Sequence, residues 1–164
     1  MKIKETLISE LEEIYEEMMW LANRPRVSPS AARAWYTHVT AGRIARKLRR
    51  FSGKVSLAAV VGVGETLRLE HYHRIQTTLT SLVSRHLKEQ TQDSAEFIET
   101  LLRCEKVHIV TFRENYSAMT AKGDYEAAGI NLLDWEEITT DRRTKLWMKM
   151  LRGRVSNAQE FRPN

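Results

Sequence analysis

Ile3, Leu7, Leu11, Ile14, Met18 and Leu21 recur at intervals of three and four, the period of a helix that buries one side. Glu10, Glu12, Glu13, Glu16 and Glu17 solvate the remainder. The spacing predicts a helix over residues 2–23. Pro25 and Pro29 interrupt it, and Ser28 or Ser30 can cap the next helix. That second helix is expected to run to about Phe51, with Thr37, Ala41, Ile44, Leu48 and Phe51 on its apolar side.

Helical spacing returns over 65–89, where Leu69, Tyr72, Ile75, Leu79, Leu82 and Val83 face inward. It returns over 94–104, headed by Asp93-Ser-Ala-Glu96, a capping-box pattern. A last helix over 141–155 places Leu146, Trp147, Met150 and Leu151 inward. Residues 54–64 fit a short buried strand or a helix start, with a break at Gly62–Gly64. Only Lys106–Phe112, KVHIVTF, has the β-branched composition of a strand, and Thr111-Phe-Arg-Glu114 can cap a helix after it. The expected fold is therefore mainly α: a single compact multi-helix domain over 1–164 with a minor β element near residues 106–112.

A chain of 164 residues, 42% hydrophobic and 29% charged, buries enough surface to fold without a metal or a disulfide. Cys104 is the one cysteine, so no internal disulfide forms, which fits a reducing, cytoplasmic setting. The longest apolar run, residues 57–63, is too short to cross a bilayer. The acidic first seventeen residues are neither a signal nor a transit peptide. No membrane association is expected.

Charge divides the chain sharply. Residues 1–17 carry two bases and six acids, residues 18–64 nine bases and no acid, and residues 65–164 fifteen of each. In a helix over 30–51, Arg43, Arg46, Lys47 and Arg50 share one side. Such a row attracts phosphates, with release of condensed counterions, and Arg offers planar paired donors. Arg33 and Lys54 extend the row, and Trp35, Tyr36 and His38 lie near its start, where aromatic rings can stack on exposed bases. This points to a nucleic-acid partner, RNA or single strands ahead of duplex. The alternative is an interaction module, of the inhibitor or immunity type, whose basic side meets an acidic protein. A third reading spends the charge internally, on the acidic first helix, which itself offers a seam for a homodimer.

Arg68-Leu-Glu70-His71-Tyr-His73 gathers an acid, a base and two imidazoles within six residues. On a helix, Arg68 and His71 share one side, and Glu70 and His73 another. Neither HExxH nor a Cys/His zinc spacing occurs, so no metal is expected. The spacing Arg68-xxxx-His73 resembles the RxxxxH signature of HEPN-type ribonucleases. The resemblance implies a helical bundle in which Arg68 and His73, with Glu70 and His71 nearby, act on an RNA phosphodiester without metal. The same residues also fit an exposed helix with a Glu70–Arg74 ion pair.

Two further patterns are incomplete. Gly62-Val-Gly64 follows an apolar run, but Leu67 stands where a dinucleotide fingerprint has its third glycine. Cys104 has His108 four residues on, yet a lone helical cysteine is chiefly a small buried hydrophobe. No cofactor motif occurs.

Overall fold

The computed structural model describes residues 5–163. It is mainly helical with a four-stranded sheet. The chain forms two compact units, one from residues 1–45 and 74–104, the other from 46–73 and 105–164.

The first unit is helical. α1 (Glu5–Ala22) buries Leu11, Ile14, Tyr15, Met18 and Met19, the face its spacing predicts; the expected start at residues 2–4 lies outside the described residues. Ser28 caps α2 (Pro29–Ala34) by accepting from Ala31 N. A π-helical turn, Trp35–Thr40, joins α2 to α3 (Ala41–Leu48). α5 (Ile75–Glu89) and α6 (Ser94–Cys104) complete the unit, and Asp93 accepts from Glu96 N at 2.8 Å as the capping pattern predicts.

One polar seam crosses this core. His86 is buried and receives the Tyr15 hydroxyl at 2.6 Å on Nδ1, with Nε2 2.9 Å from Glu96. Glu96 also pairs closely with Arg85. Arg85 first, then His86, hold the Glu96 carboxyl down at about 2. Cys104 is buried at the end of α6.

The second unit is built on β1 (Arg50–Ser56), β2 (Leu67–His71), β3 (Lys106–Thr111) and β4 (Leu132–Asp134), in the order β2-β3-β1-β4. β1 and β3 run parallel; the outer strands are antiparallel to their neighbours. Strand residues alternate between faces. Phe51, Val55, Val107 and Ile109 therefore point to one side, where they meet Trp135, Leu146, Trp147, Met150 and Leu151. Those partners come from a 3₁₀ turn (Trp135–Glu137), α8 (Thr140–Leu146) and a π-helical turn (Trp147–Leu151). Ser52 and His108 fall on the opposite face.

Each parallel strand runs directly into a helix: β1 into α4 (Leu57–Val61), β3 into α7 (Phe112–Thr120). Ser56 caps α4 and Thr111 caps α7, the latter in a full capping box with Glu114. Glu114 Oε2 accepts from Thr111 N at 2.9 Å and from Ser56 Oγ at 2.5 Å. One carboxylate thus ties both caps together.

Two expectations are corrected. Residues 65–89 are not one helix: Leu67–His71 pairs with β3 as an edge strand, and the helix starts at Ile75. The helical run from Pro29 ends at Leu48, and Arg50 and Phe51 belong to β1. The minor β element expected near 106–112 is present as β3, within a small four-stranded sheet. Gly62-Val-Gly64 leads from α4 into β2, not into a helix. A Cβ on Gly62 would lie 2.7 Å from Glu65 Cγ and 2.8 Å from Ala58 O, so that glycine serves a tight turn. No described helix is long and apolar enough to cross a membrane.

Candidate functional site

β1 departs from regular pairing between Phe51 and Val55. Four residues of β1 span the same length as two of β3, so Ser52, Gly53 and Lys54 bulge outward. Gly53 makes this turn at φ +84°, a backbone region that side chains disfavour. Bulges re-aim side chains, and this one presents Ser52. Its Oγ accepts from Lys54 N at 3.2 Å and lies 2.5 Å from His108 Nδ1 on β3. Ser52 is exposed, whereas His108 is only 6% exposed.

Aromatic rings enclose the imidazole. The Tyr72 and Tyr125 rings each stand 5.4 Å from it, centroid to centroid. Tyr72 is 47% exposed and also packs against the His73 ring, at 4.6 Å. One phenol thus contacts two imidazoles. On the paired strand β2, Glu70 sits directly opposite His108. Tyr125 reaches the site from the loop after α7, where Asp124 Oδ1 accepts from Ala127 N at 2.9 Å.

The electrostatics follow from burial. Desolvation lowers the His108 pKa to about 4, and the charges of Lys54 and His73 push the same way. The ring is therefore a neutral imidazole at pH 7. Desolvation first, then Glu70, Tyr72 and Glu114, raise the Tyr125 hydroxyl well above its ordinary range. That hydroxyl is buried and has no hydrogen-bond partner among the described residues. It remains a protonated, unused donor beside His108. Lys54 pairs with Asp134 at 2.7 Å.

A second feature lies at the start of β2 and α7. Arg68 is exposed, and its guanidinium carbon stands 5.2 Å from the centroid of Phe112. Phe112 is 51% exposed and Tyr116, one turn on, is 63% exposed. Positions four apart share a helix face, so two rings and a guanidinium lie together. Arg113 is exposed beside them.

The residues singled out in the sequence are divided among several settings. Arg33 is buried, and its guanidinium donates to Thr37, Thr80 and Ser30. Tyr36 is fully buried against Phe97. Neither presents itself to a ligand, because packing claims both. Trp35 donates its indole N–H to Glu17 at 2.8 Å. Arg43 pairs with Glu10 at 3.2 Å, and Arg50, which is not on the helix, with Glu160 at 3.2 Å. Arg46 and Lys47 are exposed on α3. The row of four on one helix is therefore not formed.

Arg68, Glu70, His71 and His73 are not on a helix either. A strand rises about 3.3 Å per residue, which puts even Arg68 and His71 about 10 Å apart. The geometry implied by the RxxxxH resemblance is absent. His71 turns away from Glu70, and its Nε2 meets buried Glu105 at 3.2 Å, with Arg49 on the same carboxylate at 3.6 Å. Burial and the Arg49 charge lower the His71 pKa to about 4. Glu70, His73 and Lys54 do converge, on His108. Ser52, Tyr72, His108, Phe112, Tyr116 and Tyr125 are the residues sequence reasoning missed. A histidine in the β-branched run of β3 was the one available signal. No group of three or more metal-ligating side chains occurs among the described residues. The chain matches no known protein family, no curated protein and no solved structure.

Proposed function

We propose that this protein binds single-stranded nucleic acid on its second unit, with Phe112, Tyr116 and Tyr72 stacking on bases and Arg68 and Arg113 meeting phosphates. The observation that carries the reading is the Arg68 guanidinium over the half-exposed Phe112 ring, with Tyr116 on the same helix face. An exposed ring beside an exposed cation is a poor way to stabilise a monomer, since water competes for both. It suits a flexible strand, whose every base has a face to stack and whose every linkage has a charge. The bases of α3 and β1 support the reading less, because Arg43, Arg50 and Lys54 already have carboxylate partners.

Fluorescence anisotropy with labelled twelve-residue oligo-U and oligo-dT tests this. Each phosphate neutralised contributes about −0.7 to the log–log salt slope for single strands, so two contacts give about −1.4. Phe112→Ala removes one stacked base, and stacking is worth about 1–3 kcal/mol per base, a loss of about fivefold or more. No retention of either oligonucleotide at low salt refutes the proposal. Binding that survives Arg68→Ala and Phe112→Ala, but fails in an Arg46→Ala, Lys47→Ala variant, moves the interface to α3.

Met119 continues the stripe of Phe112 and Tyr116 and is 51% exposed. This favours a second reading, a protein partner with an apolar patch. Added salt then strengthens binding, or leaves it unchanged, instead of weakening it.

A further inference from the structure

We infer that the His108 cluster is a metal-independent centre for cleaving RNA by internal transesterification, with His108 as base, His73 as acid, and Tyr125 stabilising the phosphorane. The inference rests on the single-strand reading above and names its substrate class as RNA. It begins from an excess of chemistry over structural need. A strand needs no imidazole at position 108, and a loop needs no buried phenol whose hydroxyl goes unbonded. Here a neutral imidazole, a second imidazole and an unused phenolic donor all lie against the Tyr72 ring or the His108 ring.

Ser52 orients the base. Its Oγ already accepts one N–H from Lys54. When it accepts a second from His108 Nδ1, 2.5 Å away, the lone pair is left on Nε2. Ser52 is then a positioning residue. Tyr72 and Ser52, both exposed, each contact His108.

The step balances without a co-reactant. His108 Nε2 takes the proton of a ribose 2′-hydroxyl as its oxygen attacks the adjacent phosphorus. A new O2′–P bond forms and the P–O5′ bond breaks. His73 passes a proton to the departing O5′. The Tyr125 hydroxyl, unbonded beside His108, is the donor for the charge that gathers on the non-bridging oxygens, where fixed donors act most strongly. The products are a 2′,3′-cyclic phosphate and a 5′-hydroxyl, and the two imidazoles then exchange protons with solvent. DNA, lacking the 2′-hydroxyl, is bound but not cut.

The test uses the full chain with a 5′-labelled twelve-residue RNA and its DNA counterpart, in excess EDTA. The expected result is RNA cleavage ending in a 2′,3′-cyclic phosphate, with the DNA intact. General acid–base catalysis contributes about 10²–10⁴-fold, so His108→Gln should lose at least a hundredfold in kcat while oligonucleotide affinity stays within twofold. His73→Gln, at the rim, should lose as much, and it covers the case in which the buried His108 variant misfolds. Ser52→Ala should lower kcat about tenfold with KM unchanged. Wild-type protein that binds RNA but leaves it whole overturns the catalytic inference and spares the binding reading. Protein that neither binds nor cuts overturns both. Cleavage undiminished in a folded His108→Gln or in His73→Gln also overturns the inference.

Discussion

Asn157 offers the most direct test of how the bulge is held. Its side chain is 4% exposed and hydrogen-bonds both backbone groups of Phe51: Oδ1 accepts from Phe51 N at 2.8 Å and Nδ2 donates to Phe51 O at 3.0 Å. Ser156 assists by donating its N–H and hydroxyl to Arg49 O, at 2.8 and 3.0 Å. The segment before Ser52 is thus clamped from one side by residues more than a hundred positions away. Asn157→Ala removes both bonds and leaves a buried N–H and a buried C=O without partners. Each orphaned group costs about 1–3 kcal/mol, so the variant should lose about 3 kcal/mol. Urea unfolding followed by tryptophan fluorescence reads this, because Trp135 packs 5.3 Å from Phe51. The midpoint should fall with the slope unchanged. Asn157→Asp provides the sign. A carboxylate accepts from Phe51 N but opposes Phe51 O, so that variant should be unstable at pH 7 and recover as acid protonates it. A loss below about 0.5 kcal/mol in Asn157→Ala, or an Asn157→Asp variant indifferent to pH, refutes the clamp.

Acid should destabilise the second unit before ordinary carboxylates titrate. His71 and His108 have pKa values lowered to about 4 in the fold but about 6.5 unfolded, so their contribution is complete above 6.5 and is lost as pH falls from 6.5 towards 4. Each should cost about 2 kcal/mol by pH 5; urea midpoints at pH 7.5 and 5 that coincide would contradict this. Arg33→Ala should destabilise the first unit by about 2 kcal/mol, through the three hydroxyls it leaves behind, and leave oligonucleotide binding unchanged in the anisotropy assay. Glu114→Ala breaks the capping box and strips Ser56 of its acceptor. It should lower stability by about 2 kcal/mol, against no more than about 0.5 for an exposed substitution such as Glu126→Ala.

Where one residue's neighbours in sequence are also its neighbours in space, the fold was legible. The faces of α1 and α5, the capped start of α6 at Asp93, the cap at Ser28, the box at Thr111 and the strand at Lys106 all depend on contacts three or four positions apart, or on local β-branched content. β2 was not legible, for a physical reason. Leu69, Tyr72, Ile75 and Leu79 satisfy a helical period, yet Leu67 and Leu69 satisfy the period of two. What decides between them is β3, which supplies hydrogen bonds from Val107 to Thr111, and that partner lies some forty residues downstream. β1 misled in the same way: Phe51 completes a helical stripe but is claimed by Val107 and Trp135.

The acid-free segment from residue 18 to 64 shows why charge alone located the site poorly. Its bases are close in sequence, and so they look like one surface. The fold sends them in different directions: Arg33 into a core, Arg43 to Glu10, Arg50 to Glu160, Lys54 to Asp134. A cation with a carboxylate at 3 Å has little attraction left for a phosphate, since binding must first break or share that pair. Arg68 has a ring beneath it instead of a carboxylate. A ring leaves the cation's charge in place and holds the guanidinium plane steady, so the energy of meeting a phosphate is not spent beforehand. By that criterion the surface to mutate first is Arg68 with Phe112, drawn from the part of the chain whose net charge is zero.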